Sequence, residues 1–510
     1  MKSNLFVFLP DRKAGTADFT TPLAAFGDIG ESEAAVALGM ASPPVGMAFA
    51  AAASAEIPRA SSRKPSRRTK LLEEIETNPK TGVSLVKVKK SAVNQLPNAQ
   101  GGRFVPVVYY ELAAPAVALR RRRAPLANAL ASKMYPFKIY VKDKTGGPVD
   151  GAFVTARYRE KSSNNEVDCS SLSDANGLAT LSLPGSMVDL IALAVDPQLG
   201  GHWGFYAKNI RVQDGHMIAV ERIDLNAQPD ALRLLVNSRA GGDGTGVTVA
   251  VIDTGVGPSP DLPNAIGDQD NGTGHGTHVA GIVGGCGAAH YQGIAPGVTI
   301  RSYRVFKGPN GHAAANYTVN QAISQAVDDG CDIINLSLRA PTKDEPVVKA
   351  AIDDAVDRGV LVVAAAGNDF NGPVCFPAHY NEVVAVSACG HLQGLPAQAL
   401  DQRFVSKTRA KSAMDVFLGA FSNIGAQVRF IAPGTGIVST APNGGYTPMS
   451  GTSMACPAVV GVIARLLSAA PQVLNMRRET ARRDAILGLA LAHASQLGFH
   501  AEMEGKGLLK

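Results

Sequence analysis

The chain has 510 residues, 45% of them hydrophobic and 18% charged, and a formal net charge of +6. That length exceeds one ordinary domain and leaves room for about three, and the composition is that of a water-soluble globular protein. The charge is small and local and says little about partners; no nucleic-acid partner is expected. Six cysteines are scattered without a Cys-x-x-Cys pair, which excludes a thiolate metal site. Several lie in apolar runs, where a thiol behaves as a small buried hydrophobe, and this usage points to a reducing, cytoplasmic setting.

The first residues, Met1-Lys-Ser-Asn-Leu-Phe-Val-Phe-Leu-Pro10, hold an apolar core of five residues, Leu5 to Leu9. A secretory signal needs about 7–15. Ala34 to Ala55 is apolar but broken by Pro43-Pro44, and no uninterrupted run reaches the ~18 residues of a membrane span. Residues 1–70 are rich in Ala, Gly, Pro and Ser and end in the basic cluster Arg63 to Lys70, so a disordered arm is expected.

Residues 71–134 read as a small region of returning order or a linker. Leu71-Leu-Glu-Glu-Ile75 suggests a short helical piece, Ser84-Leu-Val-Lys-Val-Lys89 alternates as a strand, and Val105-Pro-Val-Val-Tyr-Tyr-Glu-Leu112 is a second strand. Arg120-Arg-Arg-Arg123 follows in Pro- and Ala-rich sequence. It reads as a solvated charge run in a linker, with a processing site or a contact for acidic surfaces as alternatives. No aromatic residues are interleaved with the arginines, which argues against single-stranded nucleic acid.

From 135 to 228 the pattern is β throughout. Phe137-Lys-Ile-Tyr-Val141 alternates, Asp174-Ala-Asn-Gly177 is a hairpin signal, and Leu178-Ala-Thr-Leu-Ser-Leu183 runs on as a strand. About seven short strands predict a β-sandwich. It resembles the transthyretin-like or Ig-like modules attached to many enzymes, which bind or position and carry no chemistry.

From 229 to 510 apolar strands alternate with amphipathic helices. Val247–Ile252, Ile300–Val305, Ile333–Leu338, Val360–Ala365 and Val383–Ser387 are the strands; His278–Gly285, Tyr317–Asp328 and Glu345–Asp357 are helices. The expected class is α/β, a parallel sheet with helices on both faces. Functional residues then gather beyond the carboxyl ends of the strands, where Asp253 and Asn368 fall.

Three stretches carry chemistry. Val249-Ala-Val-Ile-Asp253-Thr-Gly255 ends an apolar strand on a carboxylate. Gly274-His-Gly-Thr-His278-Val-Ala-Gly281 opens a small-residue helix on a histidine. Gly451-Thr-Ser-Met-Ala-Cys-Pro457 sets a serine in a turn before a buried helix. Alone, Ser453 reads as a helix cap. Asp, His and Ser in that order are instead the parts of an acyl-transfer triad.

These stretches resemble those of the subtilisin-like serine proteases. Val362-Val-Ala-Ala-Ala-Gly-Asn368 agrees with them, as do Gly293-Ile-Ala-Pro296, Phe376-Pro377 and Phe430-Ile-Ala-Pro-Gly434. The resemblance covers about Leu232 to Leu509, and by the same resemblance 71–134 is prodomain-like, since a small inhibitory prodomain often occupies that region in the family. It implies a serine endopeptidase with Ser453 as nucleophile, His275 as general base and then acid, Asp253 as orienting carboxylate and Asn368 in the oxyanion hole. His278 is the competing histidine. The resemblance places substrate-binding positions at Ser337, Leu338, Arg339, Ala366, Gly367 and Cys375, and makes a polypeptide the partner.

Three departures matter. The loop between Asp253 and His275 is short. Arg339 stands where the family usually has glycine, and should favour an acidic residue upstream of the cleaved bond. Cys375 adds bulk at the expected pocket floor, predicting a preference for small or medium apolar residues. The family's calcium loops have no clear acidic counterpart after Gly285, so no cofactor is expected, with calcium as the alternative that is not indicated, and nothing specifies an oligomeric state. Self-cleavage is expected in Arg120–Ala129 or Ala240–Gly246. A binding protein on a dead scaffold, and an esterase or ligase using the same site, are the competing readings.

Overall fold

The computed structural model describes residues 5–10, 72–88, 102–113, 134–160, 164–236, 241–270, 272–288, 291–307, 311, 313–340, 345–442 and 444–510. The described residues fall into two compact units. One comprises 1–109 with 315–321 and 345–351, and the other holds 110–314, 322–344 and 352–510.

The smaller unit is built on a four-stranded sheet in the order Leu72–Thr77, Ser84–Val88, Leu5–Pro10, Gly102–Pro106. Two expectations are corrected here. Leu5–Pro10 is not part of a disordered arm but an inner strand, antiparallel to both neighbours, with Phe6 to Leu9 buried. Its pairing partners lie far downstream, out of reach of any local reading. Residues 1–4 and 11–70, the rest of that expected arm, lie outside the described residues. Leu72–Thr77 is likewise a strand and not a helical piece, paired with Ser84–Val88 across a bulge between Glu74 and Glu76. Val7, Leu9 and Val83 form the unit's core with Tyr317 and Val347.

In the larger unit two sheets share one apolar core. Phe205–Gln213, Met187–Pro197, Ala152–Arg159 and Glu166–Leu172 make one sheet; His216–Val220, Tyr135–Asp143 and Leu178–Leu183 make the other. Phe137, Ile139 and Val141 interdigitate with Val154, Leu190 and Leu193 between them, the alternation that a two-layer sandwich requires. Trp203, only 2% exposed, leaves this module to pack against Leu395, Phe417 and Val438. Backbone bonds Gly201 N–H to Tyr446 O and Tyr206 N–H to Gln398 O, at 2.7 and 2.9 Å, fasten the same seam.

The larger unit also holds an eleven-stranded sheet. Its central run, in spatial order Ala265–Gly267, Thr299–Arg304, Thr248–Asp253, Ile333–Leu336, Leu361–Ala365, Val384–His391 and Val428–Pro433, is parallel throughout. Strands buried on both faces must be apolar all along, as Leu361-Val-Val-Ala-Ala365 is. The strand order reverses direction between Thr248–Asp253 and Ile333–Leu336. A crevice opens beyond carboxyl ends at such a point, and Asp253 and Ser337 flank it. Helices His275–Gly284 and Thr452–Ser468 pack against each other on this sheet. Among the described residues no helix is long and apolar enough to cross a membrane.

Candidate active site

Asp253 closes its strand fully buried. Its Oδ1 accepts from Thr254 N–H at 2.7 Å and lies 2.8 Å from His275 Nδ1. His275 opens its helix, and Gly276 beside it is required by the close approach. A Cβ there would stand 2.3 Å from Gly255 O and 3.2 Å from the Asp253 side chain. The carboxylate therefore makes Nδ1 the protonated ring nitrogen and leaves Nε2 as a base. Nε2 is buried and makes no hydrogen bond.

Ser453 sits in the first turn of Thr452–Ser468, fully buried. Pro457 in that helix has no N–H for the carbonyl four residues back. That carbonyl, Ser453 O, takes its hydrogen bond from Ser337 Oγ at 2.9 Å, and Asn335 Nδ2 in turn donates to Ser337 Oγ at 3.0 Å. A proline that would cost an ordinary helix a hydrogen bond thus ties the serine's backbone to the neighbouring strand.

Asn368 follows Gly367, whose φ of 112° and close neighbours exclude a side chain: a Cβ would meet Asn423 Nδ2 at 2.4 Å and Cys375 Sγ at 2.9 Å. Asn368 Oδ1 accepts from Thr452 N–H and Thr452 Oγ, both at 3.0 Å. With its oxygen engaged, the amide must present Nδ2 to the cleft.

The cleft is filled by the chain itself. Tyr109–Leu112 is a strand antiparallel to Leu338–Arg339, with Leu112 opposite Leu338 and Glu111 opposite Arg339. Ala113 N–H donates to Ser337 O at 3.2 Å. Ala113 O accepts from Asn368 Nδ2, from Ser453 Oγ and, at 3.3 Å, from Ser453 N–H. The serine hydroxyl is also 3.2 Å from Ser337 O, so in this state it bonds to carbonyls and not to His275.

The other anticipated positions fall around this strand. Ala366 O accepts from Cys375 N–H at 2.9 Å. Arg339 Nη1 grips both oxygens of Asp369, at 2.7 and 2.8 Å. Cys375 does not present an apolar floor alone: its thiol lies 3.3 Å from Asp369 Oδ2, and burial, then Asp369, pushes its pKa up to about 11. Sequence reasoning missed Thr452, which orients Asn368, and Asp369, which orients Arg339. It also missed a cavity of about 410 Å³ beside His275, lined by Leu112, Met454 and Asp401 together with Asp196 and Gln198 of the sandwich. Desolvation and the neighbouring Asp401 push Asp196 up to about 6.

His278 is fully buried, with Nε2 3.0 Å from both Ile437 O and Thr447 O and Nδ1 unpartnered. Burial, with His275 nearby, lowers its pKa from 6.5 to about 3. The unfolded chain therefore takes up a proton below ~6.5 that the folded chain refuses until about 3, so this stability is present above 6.5 and is lost as pH falls through that window. At up to about 1.4 kcal/mol per pH unit, denaturant midpoints should show ~2 kcal/mol less stability at pH 5 than at pH 7 from this group. His278→Gln should remove that part of the slope. An identical slope in both proteins would assign it elsewhere.

An aspartate bonded to a histidine beyond the carboxyl ends of a parallel sheet, with a serine opening the helix packed against that of the histidine, is the arrangement of a serine hydrolase. The subtilase family model matches residues 244–498. The major intracellular serine protease of Bacillus subtilis (strain 168) is 35% identical over 270 residues, 48% of this chain and 77% of that protein. Minor extracellular protease Epr of the same organism is 36% identical over 273 residues, 51% of this chain but 38% of Epr. Among solved structures, sphericase matches at a TM-score of 0.45 and 25% identity, over 55% of this chain and 97% of that one. The chain belongs to the subtilase family. It is a subtilisin-like serine endopeptidase, and its substrates are polypeptides.

Proposed function

We propose that Ser453 attacks the peptide carbonyl while His275 Nε2 takes its proton. The histidine then returns the proton to the leaving amine, and Asp253 holds the imidazole throughout. Asn368 Nδ2 and Ser453 N–H receive the oxyanion, and water, activated by His275, releases the acyl group. His275 carries every proton transfer, and the Asn368 side chain with the Ser453 backbone N–H supplies the charge stabilisation.

We further propose that the first bond so treated is the chain's own Ala113–Ala114. One observation carries this reading: Ala113 O lies within hydrogen-bond reach of Ser453 Oγ, Ser453 N–H and Asn368 Nδ2 at once. The cut falls ahead of both connectors that the sequence suggested, Arg120–Ala129 and Ala240–Gly246. It leaves the sandwich of 135–228 attached to 229–510. Intact-mass analysis of the incubated protein should give fragments 1–113 and 114–510. A new N-terminus only within either of those connectors overturns the assignment. Asn368→Ala should lower kcat by about 10²–10³ with little change in KM, the cost of losing this donor in a subtilisin. A fall below ten-fold would remove Asn368 from the oxyanion site.

The cytoplasm is the proposed location. All six cysteines are free thiols, and burial raises the pKa of Cys389 and Cys456 in the core, as suits a reducing compartment. Cell fractionation tests this placement.

A further inference from the structure

We propose that Arg339 and Asp369 form a fixed clamp that selects substrates with an acidic side chain two residues before the one that is acylated. This rests on the endopeptidase reading and names its substrate class. Arg339 lies directly opposite Glu111 in the antiparallel register, with Nη2 3.5 Å from Glu111 Oε2. Its side chain is only 20% exposed, so its charge is poorly screened. Its Nη1 is committed to Asp369.

Asp369 cannot swing away to follow a substrate. Its N–H donates to Asn423 Oδ1 at 2.7 Å, and its Oδ2 accepts from Asn423 Nδ2 at 3.0 Å and lies 3.3 Å from the Cys375 thiol. The guanidinium is therefore held as a rigid fork with one arm on Asp369 and the other turned to the substrate strand. A planar fork fixed in this way suits a carboxylate and repels a cation. The chain's own strand, Tyr110-Glu-Leu-Ala113, supplies the matching group.

The test uses the self-processed protein, freed of residues 1–113 as checked by intact mass, and three chromogenic peptides, Tyr-Glu-Leu-Ala, Tyr-Gln-Leu-Ala and Tyr-Lys-Leu-Ala. In kcat/KM, Glu should exceed Gln by about five-fold, the upper range for an ion pair of this exposure, and Lys should be poorest. The Glu advantage should shrink in high salt. Arg339→Glu should invert the order, making Lys best, because Asp369 then faces the substrate beside a second carboxylate. Equal rates for all three peptides in wild type, or a Glu preference that survives Arg339→Glu, overturns the clamp. Failure to turn over any peptide contradicts the protease reading itself, and so separates the two claims.

Discussion

Ser453→Ala should lower kcat by about 10⁶, the size of this loss in a subtilisin. The variant should also persist as full-length chain and take no fluorophosphonate label. The fold should survive, because the hydroxyl's contacts to Ala113 O and Ser337 O are lost but the serine's backbone bonds remain. Ser453 O accepts from Ser337 Oγ, and Ser453 N–H donates to Ala113 O; neither needs the hydroxyl. Thermal melts of wild type and variant would check the folding, and intact mass the processing. A folded variant that labels at wild-type stoichiometry would mean that another residue is the nucleophile.

His275→Ala should be nearly as inactive, again by about 10⁶, since removing the base leaves the hydroxyl with no proton acceptor and triad members act as a unit. The contrast with His278 is the discriminating part. His275 has Asp253 on one nitrogen and a free Nε2. His278 spends its Nε2 on two backbone carbonyls. His278→Ala should therefore keep most of kcat but unfold at lower denaturant, because the two carbonyls lose their donor in a buried site. Stopped peptide assays on folded protein decide it. Full activity in His275→Ala with loss in His278→Ala would reverse the assignment.

Much of the site was legible because it is written in local backbone constraints. Asp253, His275, Asn368 and Ser453 each stand where an apolar strand or a small-residue helix begins or ends. The glycines beside them mark places where chain must touch chain. Gly276 against Gly255 O and Gly367 against Asn423 are two such contacts. Alternation of period two likewise announced the sandwich, and apolar runs announced the parallel strands. Leu72–Thr77 was misread for the opposite reason. Its glutamates suit a helix locally, and only pairing with Ser84–Val88 makes it a strand.

The sequence by itself determined the family, the triad and the kind of bond to be cut. Each of those rests on short motifs, around Asp253, His275, Asn368 and Ser453, that are recognisable one by one although folding must bring them together. Tertiary structure alone decided what lies in the cleft. Tyr110–Ala113 reads in isolation as one more strand, and nothing local ties it to Leu338–Arg339, more than two hundred residues on. A strand's open edge accepts any backbone of suitable twist, so its partner is chosen by how the whole chain packs. For the same reason Arg339 was visible as an unusual cation, while its direction came only from Asp369 and Asn423, which folding brings beside it.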